Sequence, residues 1–248
     1  MRFDKSHFES CFENYNPAEG TSWGFNWRAA MKKRAEIALD MAAPMLKKKG
    51  VSVLEVGCAA GDVTKQALDL CRELERYDAL DISENAIRIC EGKGLDRGGK
   101  VRFLCGSIVD QPLPAGTYDL VLCMDVIYYL SKENQRRCME KLYEAMKPGG
   151  RLLVCVPYEE REIFTLLNSK GRFEIEMIQM NRNVLWAGLD RKLAGLYGRE
   201  NISPKVKRGL YRFLSNQTLM ELSYRLCCRL KLERYTHFYI LYRKGKTA

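Results

Sequence analysis

The sequence predicts an α/β fold in which a mostly parallel sheet is covered by helices on both faces. From about residue 51 onward, short apolar stretches alternate with longer stretches of helical spacing. A glycine-rich turn follows the first apolar stretch, as is typical where a parallel strand passes into a helix. Because parallel strands need long crossover connections, this alternation favours right-handed strand–helix–strand units.

Residues 51–156 carry the clearest alternation of elements. Five strands are predicted there, namely Val51–Val56, a stretch ending at Asp81, Val101–Cys105, Tyr118–Cys123 and Leu152–Val156. The helices predicted between them are Asp62–Leu74, a helix capped by Ser83 that runs through Cys90, and Ser131–Met146, which Lys147-Pro148-Gly149-Gly150 ends. The carboxyl ends of parallel strands lie at one edge of the sheet, and ligands of such sheets bind there.

The flanking segments divide the rest of the chain, which we expect to form one structural domain. Residues 1–50 are predicted to be an N-terminal cap containing the helix Ala29–Leu46, and residues 51–180 the core. The core is expected to include a helix over Glu159–Asn168 and a strand marked by the alternation at Phe173, Ile175 and Met177. Residues 181–235 are predicted to be a mainly helical extension, and residues 236–248 a last strand, marked by Tyr235–Tyr242, and a tail.

Composition narrows the class of protein. Of the 248 residues, 46% are hydrophobic and 29% charged, which is typical of a soluble globular protein. The sequence contains no apolar run of about 18 residues that predicts a membrane span, and Met1–Lys5 has no apolar signal core. Ten cysteines without a C-x-x-C pair, and only two histidines, favour reduced structural thiols and a cytoplasmic location, and predict no metal.

Positive charge is concentrated at the end of the chain. Residues 181–248 contain 15 Lys and Arg against 4 Asp and Glu. The net charge of the whole chain is +10, so this segment accounts for all of the excess positive charge. Residues 181–235 are open to three interpretations: a substrate lid with a solvated face, a surface for RNA phosphates, or an amphipathic face for anionic lipid.

The stretch Val53–Asp62 carries the most information about function. It is a short strand followed by a turn with glycines at 57 and 61, where backbone can approach a nucleotide-like ligand closely. Twenty residues after Gly61 comes Asp81, at the end of the second strand, where a carboxylate can accept hydrogen bonds from both hydroxyls of a ribose. These two features predict a cofactor that contains adenosine.

The charges around the turn favour a cationic cofactor. A dinucleotide fingerprint needs a third glycine, and here Asp62 places negative charge where a pyrophosphate would lie. Glu55 adds a second carboxylate. S-adenosylmethionine, which carries a sulfonium and an ammonium group beside its ribose, fits this pattern better than NAD does.

With these residues the chain resembles the class I S-adenosylmethionine-dependent methyltransferases, whose first motif is E/D-x-G-x-G-x-G; Ala59 replaces the middle glycine here. The resemblance covers roughly residues 23–180 and implies a Rossmann-like, mostly parallel seven-stranded sheet. It also implies that the turn residues Gly57, Cys58, Ala59 and Gly61 line the methionine part of the cofactor. Glu55 is then expected near that end, Asp81 at the ribose and Ile82 against the adenine.

The resemblance implies further cofactor contacts after the third and fourth strands. Ser107, in place of the usual aspartate, and Ile108 are expected near the adenine, and Met124 follows the fourth strand. Trp23, with Phe25 and Trp27, is either a cation–π lid over the sulfonium or a hydrophobic staple for the first helix.

Catalytic groups are harder to assign from the sequence. A general base is needed only when the acceptor is a neutral alcohol, a phenol or a protonated amine, and Asp125, Tyr128 and Tyr129 are candidates by position, with Asp125 and Tyr129 the preferred pair. Both histidines, His7 and His237, more often have structural roles at such positions.

The octet 123–130 resembles the corresponding segment of small-molecule O- and N-methyltransferases, and no Asn/Asp-Pro-Pro-Tyr/Phe sequence occurs there. We therefore expect a methyltransferase that acts on oxygen or nitrogen of a small molecule. An RNA (tRNA) methyltransferase that uses the basic extension, a membrane-associated lipid or quinone methyltransferase, and an NAD-dependent or binding-only protein are the alternatives.

Overall fold

The computed structural model describes residues 4–13, 15, 24–167, 172–199, 201–232 and 235–245. Within these residues one seven-stranded sheet is surrounded by nine α-helices. The strands are β1 (Val51–Val56), β2 (Leu74–Asp81), β3 (Val101–Cys105), β4 (Tyr118–Met124), β5 (Met146–Pro157), β6 (Phe173–Asn181) and β7 (His237–Lys244). The helices are α1 (Lys5–Glu13), α2 (Ala29–Leu46), α3 (Asp62–Leu70), α4 (Glu84–Gly92), α5 (Lys132–Ala145), α6 (Ile163–Leu167), α7 (Val184–Tyr197), α8 (Pro204–Leu214) and α9 (Gln217–Arg229).

The strand order is β3-β2-β1-β4-β5-β7-β6. Strands β1 to β5 pair in parallel, whereas β7 is antiparallel to both of its neighbours, β5 and β6. This is a Rossmann-like sheet, and the predicted fold class is confirmed. The chain order reverses between β1 and β4, which is the place where open parallel sheets bind ligands.

Helices cover both faces of the sheet because the strand residues are apolar on both sides. In β1, Val53 belongs to a core cluster that contains residues of α2 and α3. Its neighbours Leu54 and Val56 belong to a separate cluster that contains residues of α5. A strand buried on both faces is a near-continuous apolar run, which is why β1 was predictable from sequence to the residue.

Some predicted boundaries differ from the structure. Helix α3 ends at Leu70, because Cys71 adopts an extended conformation and Leu74 already begins β2. Strand β5 begins at Met146, which pairs with Tyr118, so Lys147-Pro148-Gly149-Gly150 lies in the strand as an irregular entry.

The helix predicted over Glu159–Asn168 is replaced by a 3-10 turn at Tyr158–Glu160 and the short α6. The backbone N–H of Tyr158 donates to Thr236 O at 3.0 Å, and its ring stacks on Phe238 with centroids 5.5 Å apart. These contacts hold the chain against β7 where the helix was expected to begin. Asn168 lies outside the described residues.

The basic segment after β6 folds as α7, α8 and α9, which pack on one another and on α2. A buried ion pair joins Arg28, the residue before α2, to Asp190 of α7. Trp186 of α7 stacks on Phe213 of α8, with ring centroids 5.1 Å apart. The extension is therefore anchored to the segment that precedes the sheet. Across the described part of the chain, every helix is too short or too polar to cross a bilayer.

Candidate active site

A cavity opens at the carboxyl ends of β1 to β4, beside the reversal in strand order. Its wall combines residues that follow four strands with three aromatic residues from the N-terminal segment. The lining residues are Phe8, Phe12, Phe25, Arg34, 55–60, Asp62, Val63, 80–82, 106–108, Leu122, 124–126 and 128–130.

The turn after β1 is shaped by left-handed backbone conformations. Gly57, Ala59 and Gly61 have φ angles of 79°, 49° and 76°. A Cβ atom on Gly57 would overlap the Cγ2 atom of Val126, so glycine is required there. The amides of Gly57 and Cys58 both donate to Leu80 O, at 2.7 and 3.1 Å, which ties the turn to the end of β2.

Asp81, the last residue of β2, connects this turn to the next loop. One carboxylate oxygen accepts the Ala59 N–H at 2.9 Å, and the other accepts the Ser83 N–H at 3.0 Å. Burial raises the pKa of Asp81 above its ordinary value, although the two backbone donors act in the opposite sense. Each oxygen retains a second lone pair, so the carboxylate can accept two further hydrogen bonds from a ligand.

Glu55 lies deeper, on β1. Its Oε2 atom accepts hydrogen bonds from the hydroxyls of Thr64 at 2.6 Å and Tyr77 at 2.8 Å. Burial nevertheless raises the pKa of Glu55 to about 7. Glu55 thus lines the cavity as predicted by position, but much of its hydrogen-bonding capacity is directed to these two side chains.

Asp125 follows β4 and faces a cation that the sequence did not reveal. Its φ angle is 57°, and its N–H donates to Cys155 O at 2.9 Å. One carboxylate oxygen forms an ion pair with Arg34 of α2, and the other lies 3.8 Å from Nε2 of His237. Burial raises the pKa of Asp125, and the Arg34 guanidinium counteracts that effect.

The two tyrosines after Asp125 lie on a 3-10 turn, Ile127–Tyr129. The rings of Tyr128 and Tyr129 have centroids 4.3 Å apart, and their hydroxyls are 3.3 Å apart. Phe8 of α1 contacts Tyr129 edge to face at 5.3 Å. Burial raises the pKa of Tyr128, which keeps that phenol protonated near neutral pH. Helix α1 therefore closes this side of the cavity.

The structure places most of the other predicted site residues in the same wall. Cys58, Ile82, Ser107, Ile108 and Met124 all line the cavity. Ser107 also accepts the Val109 N–H at 3.3 Å through its hydroxyl.

Gly61, Trp23 and His7 are the remaining residues that the sequence analysis considered. Gly61 does not line the cavity; it precedes α3, where a Cβ atom would lie 2.9 Å from Cys90 Sγ. Trp23 lies outside the described residues. His7 is on α1 and is not among the lining residues.

Sequence reasoning missed Arg34 and the α1 aromatics. Arg34 precedes the buried Ile37, Ala38 and Met41 by three, four and seven residues, so it shares their helix face. A charged residue on an apolar face was the available signal. Phe8 and Phe12 are four residues apart and share a face of α1 in the same way.

The ten cysteines all lie among the described residues and are free. In the described part of the chain, no cluster of three or more His, Cys, Asp and Glu side chains is placed to hold a metal ion.

This arrangement coincides with a known domain family. Residues 53–150 match the family model described as a methyltransferase domain. The match, the sheet order and the acidic residue that ends β2 together support a class I S-adenosylmethionine-dependent methyltransferase. The cofactor of this class is S-adenosylmethionine.

Two curated relatives indicate how far the similarity extends. An uncharacterized methyltransferase, YdaC of Bacillus subtilis (strain 168), is 30% identical over 114 residues, which cover 46% of this chain and 60% of the relative. A demethylmenaquinone methyltransferase of Bacillus licheniformis is 26% identical over 161 residues, 63% of each protein. The chain therefore spans less than two thirds of the length of either relative.

Solved structures share the fold at low sequence identity. The N-methyltransferase NodS from Bradyrhizobium japonicum WM9, in complex with S-adenosylhomocysteine, superposes with a TM-score of 0.64 at 13% identity and covers 98% of both chains. A phosphoethanolamine N-methyltransferase 2 of Haemonchus contortus, in complex with S-adenosylmethionine, has a TM-score of 0.57 at 16% identity over 99% of this chain and 58% of that one.

Proposed function

We propose that this protein binds S-adenosylmethionine in the cavity at the ends of β1 to β4 and transfers its methyl group to oxygen or nitrogen of a small molecule. The observation that carries the proposal is the Asp81 carboxylate. It is held by the Ala59 and Ser83 amides and retains lone pairs for two more hydrogen bonds beside the left-handed turn. A ribose with two adjacent hydroxyls supplies that pair of donors.

The neighbouring residues fit the rest of the cofactor. Ile82 and Ile108 provide apolar contacts for the adenine, and the Ser107 hydroxyl lies in the same part of the wall. The turn at 57–59 lines the methionine part, and Glu55 contributes negative charge beneath it. Carboxylates in a half-buried cavity favour a cationic ligand, because they gain a counter-ion on binding.

When bound, S-adenosylmethionine supplies a methyl group on a positively charged sulfur. A lone pair of the acceptor bonds to the methyl carbon as the carbon–sulfur bond breaks, which leaves a neutral thioether. The residues of this chain then align the acceptor and exclude water. Asp125 is fixed by Arg34, so its carboxylate accepts a hydrogen bond from the acceptor and orients it. Tyr129, packed between Tyr128 and Phe8, limits the space from which an acceptor approaches.

A second candidate function is methylation of a quinone or lipid at a membrane surface. Several large apolar side chains on α8 and α9 are exposed, among them Val206, Leu219, Leu222 and Leu226, and so is Leu230 directly after α9. Basic residues share these helices, including Lys205, Lys207, Arg208, Arg225 and Arg229. Apolar and basic side chains together favour an anionic bilayer. The RNA alternative stays a prediction.

Calorimetry with S-adenosylmethionine and S-adenosylhomocysteine tests the proposal. We expect Asp81→Ala to lower the affinity for both ligands by about 10- to 100-fold, because two hydrogen bonds to a charged group are lost. Asp40→Ala is the matched control: Asp40 is exposed on α2, outside the cavity wall, and should leave both affinities unchanged.

Absence of heat for the wild-type protein with either ligand would refute the proposed function. The same conclusion follows if Asp81→Ala and Asp40→Ala bind equally well. Sedimentation with phosphatidylglycerol vesicles separates the two candidate acceptor classes. Binding that is lost in Leu222→Ser favours the membrane candidate, and no binding favours the soluble acceptor.

A further inference from the structure

A second cavity, of about 250 Å³, adjoins the first one. It lies between α2, the ends of β6 and β7, and α7. Arg34 and Tyr128 line both cavities, so these two side chains form a shared wall. The cofactor residues Gly57, Ala59 and Asp81 do not line the second cavity. The two cavities therefore meet at Arg34 and Tyr128.

Most of the charged side chains that line the second cavity are paired. Arg28 is paired with Asp190, Arg34 with Asp125, and Lys33 with Glu36 and Glu221, at 2.9 and 3.2 Å. Arg191 lines the cavity without a carboxylate partner among the described residues. The remaining lining carboxylate, Glu159, is exposed and forms no ion pair with Arg191. Arg191 is therefore a lining cation with no carboxylate bonded to it in the described part of the chain, and its guanidinium is available to a ligand.

Buried polar atoms around the cavity also lack hydrogen-bond partners. They are Nε of Arg34, Nε1 of Trp186 and Nδ1 of His237. Trp186 is buried, with 5% of its surface exposed. The nitrogens of Arg34 and Trp186 can only donate hydrogen bonds. A buried donor without an acceptor costs free energy, and a ligand oxygen can remove that cost.

His237 reports the local electrostatic field. Burial, together with the positive charges of Arg34 and Arg191, lowers the pKa of His237 to about 2. The nearby Asp125 carboxylate, 3.8 Å from Nε2, does not offset these effects. The imidazole is therefore neutral at physiological pH, and the field around it favours an anion.

We propose that the second cavity is the acceptor pocket for the anionic end of the methyl acceptor, a carboxylate or a phosphate bound by Arg34 and Arg191, and that the reacting end of the same molecule lies at Asp125 in the first cavity. This inference rests on the proposed function, because an acceptor pocket needs a methyl donor beside it. Arg34 contacts Asp125 through one terminal nitrogen and keeps its Nε available, so one guanidinium links the acceptor's anion to the orienting carboxylate. The Trp186 N–H supplies a further donor.

The test uses His237 as a spectroscopic reporter. The chain has two histidines, so His237→Gln assigns the imidazole signals in an NMR spectrum. We expect inorganic phosphate, acetate or both, titrated at constant ionic strength, to shift the His237 signals saturably while those of His7 stay in place. Saturation by phosphate alone identifies a phosphorylated acceptor, and saturation by acetate alone identifies a carboxylate.

Arg191→Gln and Lys192→Gln form a matched pair of exposed, neighbouring charge changes on α7. We expect Arg191→Gln to weaken the saturating anion by about tenfold or more, because a charge-assisted hydrogen bond is lost. Lys192 does not line the cavity, and Lys192→Gln should change that affinity less than twofold.

S-adenosylhomocysteine calorimetry on the same samples separates the two proposals. If the wild-type protein binds S-adenosylhomocysteine but neither anion shifts the His237 signals, the acceptor pocket is refuted and the proposed function stands. An equal loss of anion affinity in Arg191→Gln and Lys192→Gln refutes the acceptor pocket in the same way, since the anion would then respond only to nonspecific positive charge. If the wild-type protein does not bind S-adenosylhomocysteine, the proposed function fails, and the acceptor role of the cavity fails with it.

Discussion

Replacing Glu55 with glutamine should stabilise the protein at alkaline pH. Burial raises the pKa of Glu55 from its ordinary value of 4.5 to about 7, so the folded state holds this proton more tightly than the unfolded state. The stability that goes with the bound proton is fully present below pH 4.5 and is lost as the pH rises to about 7. Glutamine keeps an acceptor for Thr64 and Tyr77 and has no proton to lose.

The size of the effect follows from the shift. At about 1.36 kcal/mol per pH unit, ionisation of Glu55 costs about 3 kcal/mol of folding free energy at pH 8 and about 1 kcal/mol at pH 5. The free-energy difference between Glu55→Gln and the wild type should therefore grow by roughly 2 kcal/mol between these pH values. A constant effect of the new amide group cancels in that comparison.

Urea unfolding at pH 5, 6, 7 and 8 measures this difference. Glu221→Gln removes the same charge and serves as the control. Burial raises the pKa of Glu221, but Arg225 and Lys33 outweigh it, so the pKa lies below the ordinary value. A lowered carboxylate pKa gives stability that is present above the ordinary value of 4.5 and is lost as the pH falls from there through the lowered pKa, so Glu221→Gln should show a nearly constant difference from pH 5 to 8.

A flat profile for Glu55→Gln would contradict the reasoning, because it would mean that Glu55 has the same proton affinity in both states. Calorimetry adds a second measurement on the same variant. We expect Glu55→Gln to weaken S-adenosylmethionine more than S-adenosylhomocysteine at pH 8, since only the former carries the sulfonium charge.

Two further predictions concern the scaffold of the site, and urea unfolding checks both. Asp190→Ala leaves the Arg28 guanidinium buried without its carboxylate and should cost about 3–5 kcal/mol, whereas Arg28→Met combined with Asp190→Leu should cost much less; equal losses would contradict this. Gly57→Ala places a side chain at a φ of 79° against Val126 and should cost about 1–3 kcal/mol. Adding Val126→Ala should recover part of that loss, and no recovery would show that backbone strain alone is responsible.

Local periodicity was sufficient to predict the sheet and its longest flanking helix. Strand β1 and helix α2 have the predicted bounds, because β1 is a near-continuous apolar run and α2 keeps helical spacing of its apolar residues throughout. Leu74 was misassigned to the preceding helix, since its spacing from Leu70 suits a helix as well as the start of a strand. The irregular start of β5 depends on the pairing of Met146 with Tyr118. No pattern within the local sequence predicts that pairing.

The residues that line the first cavity were predictable from sequence where they lie at the end of a strand. They were not predictable where segments that are distant in the chain meet. Asp81 and the turn at 57–59 follow strands, so the topology brings them together. Arg34 and Asp125 are 91 residues apart in the chain, and His237 is more distant still. Their contact depends on how α2 and β7 pack across the sheet, which charge and spacing in the sequence do not reveal.

The position of β7 has a consequence for folding order. Among the strands that the structure describes, β6 pairs only with β7, and β7 pairs with β5 across the 79 residues that lie between these two strands. Strand β6 therefore joins the sheet only after β7 has docked, whereas α7 and α9 also contact α2. That docking closes a long loop, a step that is entropically slow, and it delivers His237 to its place. The second cavity, which His237 helps to line, should accordingly be completed late in folding.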